Sequence, residues 1–164
     1  MKLRYTPEAL CDLQEIKRYI KSELHNPTAA NRITKAILDG CGQLKQFPKM
    51  GVSIGAKTGY ETDLRMLVVE SYIALYRIET ETVSVGRIIN ARQGLSFTDA
   101  VNIFIQQSLN MEGLPFLASP EHAEYMKAKA MRRLLDEAEK GWKSAEKDGW
   151  VSEEDAYRTL GVTE

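Results

Sequence analysis

Three short runs of strand-forming residues follow one another at 64–69, 72–78 and 82–89, with turns of only two or three residues between them. Valine, isoleucine, leucine and tyrosine dominate the runs, whereas glutamate, serine and threonine form the turns. A parallel connection needs a crossover of about a dozen residues or more. Turns this short therefore predict an antiparallel meander, which is the strongest constraint on the fold.

Two helices are predicted before the meander. Thr6 and Asn26 are each followed directly by proline, the pattern of a capped helix start. Apolar residues then recur at helical spacing to about residue 24 and about residue 44. The short turn between the helices favours an antiparallel hairpin. With an edge strand at 2–5 and a glycine-spaced loop at 50–59, the order β-α-α-β-β-β indicates an α+β fold with two helices on one face of a small sheet.

The rest of the chain is predicted to be an extended and mostly helical segment. Helices are expected at 96–110, at 119–140 and, after a capping box opened by Ser152, up to about residue 160. The apolar stripe of the middle helix is narrow, which predicts that it packs on another surface. Gly141 and Gly149 predict a flexible joint around Trp142 and Trp150.

Several classes of function are excluded by the residues present. Cys11 and Cys41 are too few for a disulfide framework and, like the two histidines, lack metal-ligand spacing. The loop at 51–58 resembles a phosphate-binding loop, but it has one residue too few between its glycines and an alanine before its lysine. We therefore expect no cofactor and no metal. No apolar run is long enough to span a membrane and no leader is evident, so a cytoplasmic location is expected.

Charge is distributed unevenly along the chain. Residues 1–93 carry a net charge of +4 and residues 94–164 a net charge of −5. The strand arginines are either isolated and solvent-facing, or they form a concave basic face for phosphate or for an acidic segment. The candidate residues of such a face are Lys57, Arg65, Arg77, Arg87 and Arg92.

Residues 1–93 resemble the RelE/ParE toxins of bacterial type II toxin–antitoxin systems. The resemblance rests on the element order and on the sequences at 5–9, 26–30, 44–48, 64–78 and 86–93. Residues 94–118 resemble a remnant of the second helix of a RelB/DinJ antitoxin, and residues 119–164 resemble the antitoxin tail that wraps a toxin. The resemblance implies a toxin fused to a truncated antitoxin, with the acidic tail lying on the basic face.

The resemblance also implies roles for individual residues. The tail would neutralise the toxin in cis or from a second copy of the chain. Independently of the resemblance, an exposed apolar stripe on the helix at 96–110 favours a homodimer. The neutralising residues would be Tyr125, Leu134, Leu135, Trp142 and Trp150. The dimerisation residues would be Phe97, Val101, Phe104 and Leu109. The strand and first helix that read operator DNA in these antitoxins are missing, so no operator binding is expected.

The toxin activity that the resemblance implies has two alternatives. RelE-like members cleave mRNA on the ribosome, whereas ParE-like members inhibit DNA gyrase. Arg65 and Arg92 lie near positions where the nuclease members place functional arginines, but Gln93 follows Arg92 where those members continue with another arginine. We expect an endoribonuclease activity that is weak or lost. A genomic remnant and an engineered tether remain alternative origins of such a chain.

Overall fold

The computed structural model describes residues 1–91 and 120–163. The strands are β1 (Lys2–Tyr5), β2 (Val52–Ser53), β3 (Arg65–Val69), β4 (Tyr72–Ile78), β5 (Thr82–Asn90) and β6 (Val151–Ser152). The α-helices are α1 (Pro7–Ser22), α2 (Pro27–Gly42), α3 (Ile54–Thr58), α4 (Pro120–Asp148) and α5 (Glu153–Leu160). We call residues 1–91 the N-terminal domain and residues 120–163 the C-terminal segment. The helix expected at 96–110 lies outside the described residues.

All six strands form one sheet in the order β2-β3-β4-β5-β1-β6. The antiparallel meander of β3, β4 and β5 is confirmed, and β1 pairs in parallel with β5. The expectation that the strand at 2–5 is an edge strand is wrong, because β6 of the C-terminal segment pairs antiparallel with the other side of β1. The segment therefore extends the sheet of the domain.

The predicted helical hairpin covers one face of the sheet. The side-chain oxygen of Thr6 accepts from the backbone N–H of Ala9, and that of Asn26 accepts from the backbone N–H of Ala29. Both helices are therefore capped as expected. Their apolar faces pack on alternate residues of the strands, including Leu67, Ala74 and Val85. We call this side the hairpin face and the opposite side the outer face.

Two local expectations are corrected. The loop at 50–59 contains β2 and α3, because Ser53 caps a short helix by accepting from the N–H of Ala56 and β2 pairs with β3. The expected joint at Gly141 is absent, since α4 continues through this glycine to Asp148. The final helix begins after Ser152, as predicted, with its Oγ accepting from Asp155 N–H. Among the described residues, no helix has the length and apolar character needed to cross a membrane.

Candidate interface between the C-terminal segment and the sheet

Helix α4 lies on the outer face of the sheet. Met131 and Leu134 are fully buried and Ala138 nearly so. They share an apolar cluster with five residues of the domain: Ile54, Leu64, Met66, Ile73 and Leu75. Leu135 and Trp142 are partly buried against the same cluster. The narrow stripe seen in the sequence is therefore the face with which α4 covers the sheet.

Two glycines allow α4 to approach β5 closely. A Cβ built on Gly141 would lie 2.1 Å from the carbonyl oxygen of Gly86, and a Cβ built on Gly86 would lie 2.9 Å from Cη2 of Trp142. The first distance is incompatible with a side chain larger than hydrogen unless the helix moves away, and the second requires at least the Trp142 ring to shift. Gly141 is therefore a packing residue inside a helix.

A β-bulge at Gly86 turns Arg87 towards α4. Tyr76 is opposite Val85 and Leu75 is opposite Arg87, which leaves Gly86 as the extra residue in β5. Strict alternation from Val85 would have placed Arg87 on the hairpin face. The bulge places it beside Leu75 on the outer face instead, where the C-terminal segment lies.

Arg87 is held between two carboxylates. Its Nε and Nη2 donate to Asp12 of α1 at 2.7 and 2.9 Å, and its Nη1 donates to Oε2 of Glu137 of α4 at 2.5 Å. Asp12 also accepts from the N–H of Ile88. The Arg87 and Asp12 side chains are only 13% and 10% exposed. This cluster joins β5, α1 and α4 through charge-assisted hydrogen bonds.

Burial and charge move the two carboxyl pKa values in opposite directions. Burial raises the pKa of Asp12 above its ordinary value, although Arg87 and the Ile88 N–H oppose the shift. Burial also acts to raise the pKa of Glu137, but hydrogen bonds and charges from Lys140 and Arg87 outweigh it and hold that pKa below its ordinary value. Glu137 is therefore stabilised as the anion by its contacts across the interface.

Both tryptophans of the segment lie over arginines of the domain. Trp150 lies 3.6 Å from the guanidinium carbon of Arg4, measured to the ring centroid, and Trp142 lies 4.7 Å from that of Arg77. The two rings are 6.1 Å apart. The two arginine-to-ring distances are within the range of attractive cation–π contacts.

The end of the segment reaches the hairpin face. Ala156, Tyr157 and Leu160 of α5 are buried in the main core with residues of α1 and α2. Four contacts fix α4 and α5 there. Glu153 accepts from Lys45 at 2.6 Å, Tyr157 donates to Asp39 at 2.6 Å, the Leu160 carbonyl accepts from Lys17, and Ser144 of α4 accepts from the Glu8 N–H at 3.1 Å. The segment thus contacts the domain on the outer face, at the β1 edge and on the helical hairpin.

A family model for the ParE toxin of type II toxin–antitoxin systems, parDE, matches residues 3–95, which is more than half of the chain. The chain belongs to the ParE toxin family. The match covers nearly all of the N-terminal domain, which we call the ParE domain from here on, and stops before the C-terminal segment begins.

A solved structure is similar to part of the chain. It is described as a chromosomal ParDE TA system from P. aeruginosa; it is 24% identical, covers 55% of this chain and 95% of that chain, and has a TM-score of 0.47. No curated protein matches the chain at a significant level.

The structure does not bring the predicted basic residues of the ParE domain to one face. Arg65 is opposite Tyr76 in the β3–β4 pair and so lies on the hairpin face, whereas Arg77 and Arg87 lie on the outer face. Lys57 is exposed on α3. Arg92 falls outside the described residues.

Arg65 is already bonded to the backbone of a neighbouring loop. Its Nη2 donates to the carbonyls of Lys49 at 3.0 Å and Gly51 at 2.6 Å, and its Nε donates to the hydroxyl of Tyr76 at 3.2 Å. Tyr76 in turn donates to the carbonyl of Pro48. These contacts are those of a residue that fixes the loop before β2.

The residues expected to neutralise the toxin divide into two groups. Leu134, Leu135, Trp142 and Trp150 contact the ParE domain, as described above. Tyr125 is 63% exposed near the start of α4. Sequence reasoning missed Arg4 and Gly86 of the domain and Glu137 and Ser144 of the segment. The pairing of a glycine with a tryptophan at 141–142 was the available signal for the close approach.

A cleft of about 900 Å³ lies between α1, the end of β5 and α4. Its wall includes five basic residues, Arg18, Arg87, Arg133, Lys140 and Lys143, and five acidic residues, Asp12, Glu15, Asp136, Glu137 and Glu139. The balance of charge does not favour a phosphate or another anion. Within residues 1–91 and 120–163, no three histidine, cysteine or acidic side chains are grouped to hold a metal.

Proposed function

We propose that the C-terminal segment acts as a covalently attached antitoxin that neutralises the ParE toxin domain. The observation that carries this proposal is the coverage of the outer face of the toxin sheet by α4, with β6 and α5 continuing around the edge to the hairpin. A toxin surface that is buried in this way is not available to a cellular target.

Charge complementarity supports the proposal. Glu137 and Glu153 of the acidic half bind Arg87 and Lys45 of the basic half. The Arg87–Glu137 contact is the more buried of the two on the domain side, so it is screened less by salt. The segment therefore combines an apolar stripe with charges that match the surface beneath it. The RelB/DinJ resemblance of residues 94–164 agrees with this role.

Neutralisation in cis would use these contacts within one chain. An exchange of segments between two copies would use the same contacts and would give a homodimer. In that arrangement Phe97, Val101, Phe104 and Leu109 would join the two copies. Light scattering on the purified full chain distinguishes a monomer from a dimer.

The target that we propose for the freed toxin domain is DNA gyrase, as the ParE resemblance implies. Arg65 is engaged with the Lys49 and Gly51 carbonyls, and Arg87 is engaged with Asp12. These contacts do not favour a cluster of free cations around a scissile phosphate. The second candidate, ribosome-dependent cleavage of mRNA, rests on Arg65 and Arg92 as catalytic residues.

Growth of bacteria that express residues 1–95 tests this function, with the full chain as the comparison. We expect arrest with residues 1–95, no arrest with the full chain, and recovery when residues 120–164 are expressed separately in the same cells. Supercoiling by gyrase and cleavage of translated mRNA would then be assayed in the arrested cells. Soluble residues 1–95 that allow normal growth would contradict the proposal.

A further inference from the structure

The cation–π contacts of the segment are part of one row of residues across the sheet. Arg4 of β1 is paired with Ser84 of β5, and Ser84 is paired with Arg77 of β4, so the three side chains share the outer face. Trp150 and Trp142 lie above the two ends of this row. Gly86, two residues after Ser84, lies under the ring of Trp142.

The guanidinium of Arg4 is held at its edge by hydrogen bonds, and that of Arg77 by an ion pair. Nε of Arg4 donates to Ser84 at 2.8 Å and its Nη2 donates to Glu79 at 2.7 Å, while Ser84 itself donates to Glu79. Nε of Arg77 lies 2.9 Å from Oδ1 of Asp63 in an ion pair, but it makes no hydrogen bond within residues 1–91 and 120–163. A guanidinium that is held at its edge by such contacts leaves its flat face available to stack on an aromatic ring.

Trp142 contributes its ring rather than a hydrogen bond. Nε1 of Trp142 is buried and has no hydrogen-bond partner among residues 1–91 and 120–163. Because a buried donor without a partner is unfavourable, the favourable contribution of Trp142 to the interface comes from its packing and its π-face. The contacts with Gly86 and Arg77 supply both.

The apolar stripe alone does not define where α4 sits along the sheet. Aliphatic side chains tolerate exchange with others of similar volume. The glycine contact and the two ring contacts are directional, and the rings are eight positions apart, with Gly141 directly before the first.

We propose that Gly86, Arg77 and Arg4 form a recognition site in the ParE domain for two aromatic rings borne by the neutralising segment, and that this site sets the register of the segment. This inference rests on the proposed function. It assigns to Arg4 and Arg77 the selection of segments with a Gly-Trp pair followed by a second tryptophan eight residues later.

Hydrogen exchange of the α4 amides in the full chain tests the site. We expect Arg77→Gln and Arg4→Gln each to speed exchange at residues 134–148 about two- to fivefold, the loss expected for a partly exposed cation–π contact. Arg32→Gln is the matched control, since Arg32 forms an exposed ion pair with Glu70 away from the segment. Exchange in Arg77→Gln equal to that in Arg32→Gln would overturn the proposal.

Two further comparisons separate recognition from general stability. Trp142→Phe retains a ring and should keep most of the protection, whereas Trp142→Leu should lose it; equal exchange in the two variants would contradict the role of the ring. Arg77→Gln should add little in the Trp142→Leu background but should add fully to Leu134→Ala. Full additivity with Trp142→Leu would overturn the pairing. These readouts do not depend on toxicity, so failure of the proposed function would appear separately, in the growth assay.

Discussion

Gly141 of α4 lies so close to Gly86 of β5 that a methyl group on Gly141 would be 2.1 Å from the Gly86 carbonyl oxygen. The contact joins the two parts of the chain at the level of their backbones. Trp142, Ser144 and Ala145 follow Gly141 along α4, and each is at least partly buried. The position of the segment therefore depends on the absence of side chains at 86 and 141.

Gly141→Ala reverses the usual effect of this substitution. In the interior of a helix it ordinarily stabilises by about 1 kcal/mol, but here the new methyl group forces α4 away from β5. We expect the free energy of unfolding, measured by urea titration of the full chain, to fall. Glu146→Ala, at an exposed position of the same helix, is the control and should change little. A more stable Gly141→Ala chain would show that the close approach is wrong.

Truncation of two α4 side chains distinguishes the residues that cover the sheet from those that do not. Leu134 is fully buried and Tyr125 is 63% exposed. We expect Leu134→Ala to cost about 2–5 kcal/mol and Tyr125→Ala less than about 0.5 kcal/mol, by chemical denaturation. Equal effects at the two positions would place the contact surface of α4 elsewhere.

Glu137 should make the full chain sensitive to acid. Its pKa is lowered in the folded state, so its contribution to stability is present above its ordinary pKa and is lost as the pH falls through the folded value. Between about pH 6 and about pH 3 the wild-type chain should therefore lose more stability than Glu137→Gln. The raised pKa of Asp12 acts in the opposite direction, but Asp12 is present in both chains. Parallel stability curves would contradict the ionic contact.

Arg65→Ala tests whether this arginine fixes the loop before β2. Removal of its bonds to Lys49, Gly51 and Tyr76 leaves the partly buried Gly51 carbonyl without this donor. We expect a loss of about 2 kcal/mol in the free energy of unfolding and faster amide exchange around residue 51. Lys57→Ala, at an exposed position nearby, serves as the comparison. An Arg65→Ala chain as stable as Lys57→Ala would favour a purely functional role for Arg65.

The sequence predicted the elements whose signals are local. The short turns specified the meander, Thr6, Asn26 and Ser152 marked helix starts, and the stripe at Met131 and Leu134 indicated a covering helix. Each of these signals depends on residues close together in the chain.

Features that depend on register or on distant packing were not predicted. In the sequence, Gly141 lies among charged residues, which is typical of a flexible joint. Only the structure shows that the Gly86 backbone packs directly against it. Strand β6 has two residues and carries no periodic pattern. Arg65 and Arg87 lie on opposite faces of the sheet because of the strand pairing and the bulge at Gly86. Neither feature can be predicted from the composition of the strands.

Growth of bacteria that express a full-length chain with a detached segment tests the central claim most directly. Met131→Asp with Leu134→Asp places two charges against the outer face, while Tyr125→Asp with Ala128→Asp adds the same charge at exposed positions of α4. The account predicts growth arrest with the first pair and normal growth with the second, at equal levels of soluble protein. Normal growth with both pairs would contradict neutralisation of the toxin domain by its own C-terminal segment.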